Sequence, residues 1–342
     1  MTTPHPAKPA DAAIGTATPP RLWLGYYLEH AKARLAGLVV LTTIVGYVLA
    51  ARGAFDLSVL GWTVLGTTLT AFGANILNQW LETDRDRQME RTRNRPLPAG
   101  KVTRNTALVW GLISAATGLV VLDLGTNRLT AALSLFVILL YVLVYTPLKV
   151  RTPLNTAVGA VCGAVPPMMG WTAATGQLEL GAWILGGILF IWQVPHFLAL
   201  AWMYRDDYAR GGFRMMPAAD PDGSMTGRAA FIHAIALLPI TGALAAVCVT
   251  WMTYLIASQI VGLAFAALGW SFARHRVRLN ARRLFLASII YLPVLLGLMV
   301  TDMDDRIARL AGFHRADSQH ITVITQDGAA ASLDSRLPAA DR

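Results

Sequence analysis

The feature that most limits what this chain can become is a succession of nine long apolar stretches. They fall at 34–51, 57–79, 106–124, 129–147, 154–174, 180–203, 229–249, 251–270 and 284–301. Each approaches the roughly 20 residues that a helix needs to cross the hydrocarbon core of a bilayer. Lipid offers no partner to backbone amides and carbonyls, so stretches that enter it must satisfy those groups internally. The expected fold class is therefore an all-α integral membrane protein with nine transmembrane helices. The weakest boundary is the one after 229–249, where VCVTWMTYLIAS gives little break.

Of 342 residues, 55% are hydrophobic and 14% charged, against roughly 25% charged in a soluble domain. A net charge of +9 raises the question of nucleic acid, but the basic residues sit in short loops between apolar runs. That distribution sets orientation in a membrane and argues against a nucleic-acid partner. With the N-terminus in the cytoplasm, the cytoplasmic loops 80–105, 148–153, 204–228 and 271–283 hold seven, two, four and five Lys or Arg, and the outer loops only Arg52 and Arg128. The asymmetry predicts cytoplasmic loops at that face and a periplasmic C-terminus. Residues 1–33 lack the shape of a signal peptide and are expected to be a disordered cytoplasmic arm with a short lead-in. Residues 302–342 are expected to form a tail outside the membrane, a short amphipathic piece followed by a disordered end. Cys162 and Cys248 lie in separate apolar runs and read as small buried hydrophobes.

One loop is unlike ordinary membrane-flanking sequence. NQWLETDRDRQMERTRNRPLP, residues 78–98, follows an apolar run directly. If the helix continues through Asp86, then Asn78, Glu82 and Asp86 share one face at a spacing of four. Acids stacked in this way need a cation. The five arginines Arg85, Arg87, Arg91, Arg93 and Arg95 can supply it as a solvated ion network. The alternative is a divalent cation: oxygen-only donors suit Mg2+, which is held by one or two carboxylates together with substrate phosphate oxygens. Carboxylates beside arginines make sense if a diphosphate lies between them. Pro96, Pro98 and Gly100 then end the helical register.

A second acidic pair, Asp206 and Asp207, follows segment 180–203 with Arg205, Arg210 and Arg214 nearby. It is either a solvated helix end or an echo of the first motif, consistent with a duplicated four-helix unit. Two facing clusters would make a diphosphate site with more than one Mg2+, where ionisation leaves an allylic cation for a nucleophile in a water-poor pocket. Pro195 is expected to kink its segment. His196, within a span, is by default a functional candidate, facing haem or handling a proton, or else a histidine satisfied by an interhelical hydrogen bond; His233 is a weaker case. Lys149 and Arg151, in YTPLKVRTPLN, either reach diphosphate or serve orientation alone, and Asn155 is a helix cap or a polar lining residue.

With these residues in place the sequence resembles the UbiA superfamily of intramembrane prenyltransferases, and within it the branch that acts on haem. The superfamily pattern Asn-x-x-x-acid-x-x-x-Asp matches Asn78, Glu82 and Asp86. The haem-type elements match in Trp80, Asp84, Met89, Arg91, Thr92, Arg95, Pro96, Leu97 and Gly100. They continue in Tyr145, Thr146, Pro147, Leu148, Lys149, Thr152, Pro153 and Asn155, in Gly163, Pro166, Pro167, Gly170 and Trp171, and in Trp192, Pro195, His196, Phe197, Asp206, Asp207 and Tyr208. The resemblance covers roughly 34–301.

What the resemblance implies is a nine-helix fold around a central cavity, with Mg2+ as cofactor and farnesyl diphosphate and haem b as substrates. The metal ligands implied are Asn78, Glu82, Asp86, Asp206 and Asp207. Arg91, Arg95, Lys149 and Arg151 would bind the diphosphate, and His196, Trp192 and Asn155 would face haem or handle a proton. Partners implied beyond the bilayer are haem-modifying or oxidase-assembly proteins. The chain departs from the pattern in Glu82, where many relatives carry Asp, and in the second motif, where Arg210 and Gly211 stand four residues beyond Asp206 and Asp207 and the next acids are Asp220 and Asp222. Three rivals have distinct signatures: a prenyltransferase with a quinone-precursor or chlorin acceptor, a secondary transporter with its acids at the midplane, and a haem-binding scaffold that has no use for the carboxylates.

Overall fold

In a computed structural model of the protein, residues 20–52, 55–247, 249–303, 322–324 and 330–332 are described. Eight helices are long and apolar enough to cross a membrane: α3 (Leu57–Asp86), α4 (Arg104–Gly125), the run Arg128–Leu148, α7 (Asn155–Thr175), α8 (Leu180–Met203), α11 (Ser224–Ala246), α12 (Met252–Arg274) and α13 (Arg278–Thr301). Among the described residues the count becomes nine if α1 (Pro20–His30) and α2 (Ala33–Ala51), whose apolar parts meet at a bend of 66°, are taken as one broken span. Each of the nine expected stretches is helical over most of its described length; the one expected over 229–249 ends as a helix at Ala246.

Local chemistry fixes several ends. Asp56 accepts from the amides of Ser58 and Val59 at the start of α3, Thr103 from Thr106 at the start of α4, and Asn127 from Thr130 at the start of α5 (Arg128–Leu139), each satisfying amides that a helix leaves open. The weak boundary after α11 is settled from elsewhere in the chain. Asp302, at the end of α13, accepts the Tyr254 amide on its carboxylate at 2.6 Å and the Trp251 amide on its carbonyl at 3.0 Å, which starts α12.

The span Arg128–Leu148, the fourth in chain order, changes its winding. After α5 the chain forms a π-helical turn, Leu140–Tyr145, and then α6 (Thr146–Leu148). The carbonyl of Tyr141 accepts the Thr146 hydroxyl at 2.8 Å. π turns of this kind concentrate at functional sites.

α7 and α8 are the central pair, with 72% and 61% of their apolar windows buried against 28–39% in the other single-helix spans. Close approach rests on absent side chains: a Cβ at Gly46 of α2 would collide with the Pro167 carbonyl, and one at Gly170 of α7 with the Thr43 carbonyl. Small residues at helix crossings do this work in membranes, where solvent supplies no drive between helices. A second half, α8 with α11, α12 and α13, packs around Trp192, Phe265, Phe272 and Tyr291.

The expected disordered arm needs correction. Residues 20–30 are helical, because α1 has partners: Tyr27 bonds Ser114 at 2.6 Å, and His30 and Gln79 bond each other twice, through Nδ1 to Oε1 at 3.1 Å and Gln79 Nε2 to the His30 carbonyl. Residues 1–19 lie outside the described residues, as does Cys248. In the tail, Thr322–Ile324 and Ala330–Ser332 pair as two antiparallel strands, β1 and β2, within the end expected to be disordered; the amphipathic piece expected after residue 302 falls on residues 304–321, which lie outside the described residues.

Candidate active site

α3 runs without a break to Asp86, as the spacing of its acids predicts, so Asn78, Glu82 and Asp86 do share a face. All three are buried, at 0%, 6% and 1% exposure. Each has its own cation. Lys32 Nζ lies 3.2 Å from Asn78 Oδ1, Lys149 Nζ 2.9 Å from Glu82 Oε1, and an Arg95 guanidinium nitrogen 2.8 Å from Asp86 Oδ2. The amide of Asn78 is oriented by donating to Thr146 Oγ1 at 2.9 Å, which ties the acid-bearing face of α3 to the end of the π turn. Burial alone would lower the Lys149 pKa; the Glu82 carboxylate beside it outweighs that and holds the ammonium above its ordinary value.

Glu82 and Asp86 wall a cavity of about 160 Å³ at the loop end of the helices, with four cations (Lys32, Arg91, Arg95, Lys149) against these two carboxylates; Asn78, buried one turn earlier on the same face, does not line it and meets the site through Lys32. The surplus of positive charge calls for a polyanion. A second cavity of about 270 Å³ lies deeper and is lined mainly by apolar groups, among them Leu38, Val39, Cys162, Pro166 and Leu189. Tyr141, Tyr145 and Phe197 line both. The π turn brings the two tyrosines together, stacked with centroids 5.2 Å apart, and Lys149 sits 4.5 Å from the Tyr145 ring.

The donors present fit a hard divalent cation. The oxygens are two carboxylates and the side-chain carbonyls of Asn78 and Asn155, and Asn155 Oδ1 is buried on the cavity wall with no hydrogen-bond partner among the described residues, a chemistry suited to Mg2+ that retains water and phosphate ligands. Among the described residues no three of His, Cys, Asp or Glu gather into a metal cluster, so substrate oxygens would have to complete the coordination.

The second acidic motif is corrected by the structure. The Asp206 side chain is 91% exposed beside Arg205, and neither it nor Asp207 lines the cavity. Asp207 is buried but committed: Oδ1 accepts the Glu90 amide at 3.0 Å and Arg210 at 2.8 Å. Burial alone would raise its pKa; Arg210 and the amides of Glu90 and Arg91 hold it below the ordinary value instead. Asp207 thus clasps α9 (Arg205–Arg210) to the 87–103 loop over the cavity. Asp220, just after α10 (Met216–Ala219), is a structural acid too, accepting the amide and hydroxyl of Thr226 at 2.6 and 2.7 Å in the first turn of α11.

Of the other expected residues, Arg151 is exposed and absent from the cavity wall, a correction that leaves Lys149 as the cation of that loop. Arg91 reaches the cavity and lies 5.5 Å from the Tyr208 ring. Arg87 and Arg104 pair with the exposed Asp84, so the solvated ion network exists, one step outside the site. Asn155 donates to the carbonyls of Thr152 and Arg214 at 2.7 and 3.1 Å. His196 and Trp192 both line the apolar chamber; the imidazole bonds Ser288 Oγ at 2.7 Å and packs between Trp192 and Phe285 at centroid distances of 5.2 and 4.8 Å. His233 bonds the Ala229 carbonyl of its own helix. Lys32 was not foreseen, since a lysine in AKAR before an apolar run reads as an orientation signal.

A buried carboxylate row ringed by cations, opening into an apolar chamber among transmembrane helices, is the arrangement of an intramembrane transferase acting on an amphiphilic anion. Residues 39–290 match the UbiA prenyltransferase family, and the chain belongs to that family. Over 285 residues it is 40% identical to protoheme IX farnesyltransferase of Solibacter usitatus, covering 81% of this chain and 98% of that one. It is 45% identical over 277 residues to the human mitochondrial protoheme IX farnesyltransferase, covering 81% of this chain and 62% of the human protein's length. The fold is similar to that of digeranylgeranylglyceryl phosphate synthase (TM-score 0.70, 16% identity, 82% of this chain and 98% of that one). It is also similar to that of a UbiA homologue from Archaeoglobus fulgidus bound to GPP and Mg2+ (TM-score 0.58, 11% identity, 81% and 99%).

Proposed function

We propose that this protein transfers the farnesyl group of farnesyl diphosphate to a vinyl side chain of haem b, giving haem o and diphosphate for the supply of terminal oxidases. The reading rests on the 40% identity to a protoheme IX farnesyltransferase along nearly its whole length. The observation in the molecule that carries it is the paired cavity, polar and cationic at the loop end and apolar within, joined at Tyr141, Tyr145 and Phe197. A diphosphate fits the first chamber and an isoprenoid tail the second, with the reacting carbon between them.

Asn78, Glu82 and Asp86 are the residues that would hold Mg2+, which when bound supplies Lewis acidity to the leaving diphosphate. Arg91, Arg95 and Lys149 take the diphosphate oxygens and stabilise the charge that develops as the C–O bond breaks. The allylic cation left at the farnesyl carbon is attacked by the vinyl group, forming the new C–C bond. Water then adds to the cation on the porphyrin side chain and a proton is released. The vinyl group is a modest nucleophile, so alignment of the two substrates matters more than a strong base. His196 and Trp192 stand in the apolar chamber where the porphyrin edge would come, and His196 is our candidate for positioning the water. Asp207 acts through the clasp over the cavity. We assign the loop end to the cytoplasm and the C-terminus to the periplasmic side of a bacterial inner membrane, on the strength of the Lys and Arg asymmetry. Haem-modifying or oxidase-assembly proteins are the partners this product implies.

The test is an assay of detergent-purified protein with farnesyl diphosphate, haem b and Mg2+, read by chromatography and mass. A haem heavier by one farnesyl group and one water, absent with chelator, is the expected product. Unchanged haem alongside a prenylated quinone precursor would transfer the reading to the rival acceptor.

A further inference from the structure

At the apolar chamber α8 and α13 are tied together through one serine. Ser288 is fully buried and holds three neighbours: its carbonyl accepts Trp192 Nε1–H at 3.0 Å, its hydroxyl donates to the Phe285 carbonyl at 2.6 Å, and the same Oγ lies 2.7 Å from His196 Nδ1. A hydroxyl has one hydrogen, and here the Phe285 carbonyl, which cannot donate, has taken it. Towards His196 the serine oxygen can only accept, so Nδ1 carries the imidazole hydrogen and Nε2 of the neutral ring carries a bare lone pair. Nε2 bonds nothing among the described residues, and it is not sealed from its surroundings as Nε2 of His30 is. The rings of Trp192 and Phe285 lie against the imidazole at 26° and 31°. That leaves the edge bearing Nε2 for the chamber that His196 lines.

We propose that His196 Nε2 takes the proton of the water that hydrates the porphyrin-side cation, and that Ser288 is the positioning residue that sets the imidazole tautomer for that task. This rests on the farnesyl-to-haem reading and deepens it. Once the terminal vinyl carbon has bonded the farnesyl carbon, the positive charge sits on the neighbouring carbon, next to the porphyrin ring. The water oxygen bonds to that carbon with one of its lone pairs while one O–H bond breaks; the pair of that bond stays on oxygen and the proton bonds to Nε2. The product is the alcohol, and the imidazolium returns its proton to water as the product leaves. Among its described lining residues the chamber has no carboxylate, lysine or arginine, so the imidazole is its one base at neutral pH. The imidazolium that forms is stabilised by the π faces of Trp192 and Phe285 and by Ser288 Oγ. Without this base the cation has another exit. Loss of a carbon-bound proton to the departed diphosphate gives an alkene, lighter than the alcohol by one water.

The experiment is farnesyl transfer by the full chain in detergent, with haem b, farnesyl diphosphate and Mg2+, scored by mass for the alcohol and the alkene. The wild type should give the alcohol. His196→Phe, which keeps a ring in the stack, should raise the alkene-to-alcohol ratio by about 100-fold, the scale on which a general base acts. Ser288→Ala keeps the base but frees its tautomer, and should raise the ratio by about 10-fold. Ser288→Thr retains the hydroxyl and should recover the alcohol. If His196→Phe and Ser288→Ala, shown by their Tm to be folded, make the alcohol in wild-type proportion, the proposal is overturned while the farnesyl-transfer reading stands. A changed ratio in His196→Phe alone removes Ser288 from it. Loss of both products together in the folded variants makes the pair part of the haem seat, and a low-spin haem spectrum of the wild type that vanishes in His196→Phe puts Nε2 on the iron; either result overturns the base. A wild type that leaves haem unchanged overturns the underlying reading and takes this one with it.

Discussion

Lys149 and Glu82 come from different spans, 67 residues apart in sequence, and meet as an ion pair of 2.9 Å with side chains only 13% and 7% exposed. Removing one partner of such a pair strands a buried charge at a cost of about 3–5 kcal/mol, while removing both is far milder. Glu82→Gln and Lys149→Met should each lower the Tm in detergent, and the double variant should lie above the sum of the two. All three should lose farnesyl transfer. Additive Tm losses would show that the two residues do not act as a pair.

Thr146 holds two polar groups at once, donating to the Tyr141 carbonyl at 2.8 Å and accepting from Asn78 Nδ2 at 2.9 Å. Thr146→Val keeps the shape and loses both bonds, leaving a buried amide and a carbonyl open at about 1–3 kcal/mol each. The expected outcome is a raised KM for farnesyl diphosphate and a raised Mg2+ requirement, with Thr146→Ser close to wild type. Equal kinetics for Val and Ser variants would remove Asn78 orientation from the mechanism.

Asp207 joins two loops through Glu90 and Arg210. Asp207→Asn weakens charge-assisted bonds that contribute about 1.5–3 kcal/mol each, so hydrogen exchange should rise together in residues 88–93 and 204–214, with activity lost through positioning. An Asp206→Asn variant, altering an exposed side chain, should change neither. If Asp206→Asn instead abolished Mg2+-dependent diphosphate binding, the exposed acid would have to be a ligand in the loaded state.

The Asp220 carboxyl gives a pH dependence. Burial alone would raise its pKa; the amide and hydroxyl of Thr226 outweigh this and hold it below the ordinary carboxyl value. A depressed folded-state pKa contributes stability that is present above the unfolded-state value of about 4 and is lost as pH falls through the folded-state value. The Tm of the wild type should therefore fall below about pH 4 more steeply than that of Asp220→Asn, and the two curves should run parallel above pH 6 or so. Parallel curves throughout would sink the assignment.

The sequence made the spans legible because twenty apolar residues have few other fates, and it made α3 legible through Asp86 because four-residue spacing of Asn78, Glu82 and Asp86 has meaning only on a helix. It was silent where function depends on which neighbour a side chain finds. Asp206 and Asp207 are adjacent and chemically alike, yet one faces solvent and the other clasps Glu90. Arg151 and Lys149 are two positions apart and only the lysine reaches the cavity. Lys32 looked like any basic residue flanking a span, since nothing local announces a left-handed bend stitched to α3. The π turn was hidden as well, because LYVLVY satisfies an α-helical pattern equally well.

That turn also bears on how this span can vary over generations. A π turn amounts to one residue added within an α-helix, and one residue is worth about 100° of rotation. Upstream, α5 keeps Thr130 and Ser134 buried; downstream, Tyr145 and Lys149 line the cavity and Thr146 orients Asn78. Deleting any single residue of 140–145 would restore a regular helix and swing one half of the span away from its partners. Substitutions within the turn can accumulate one at a time, but its length is locked, and a descendant that lost the extra residue would have to rebuild this wall of the polar cavity in the same step.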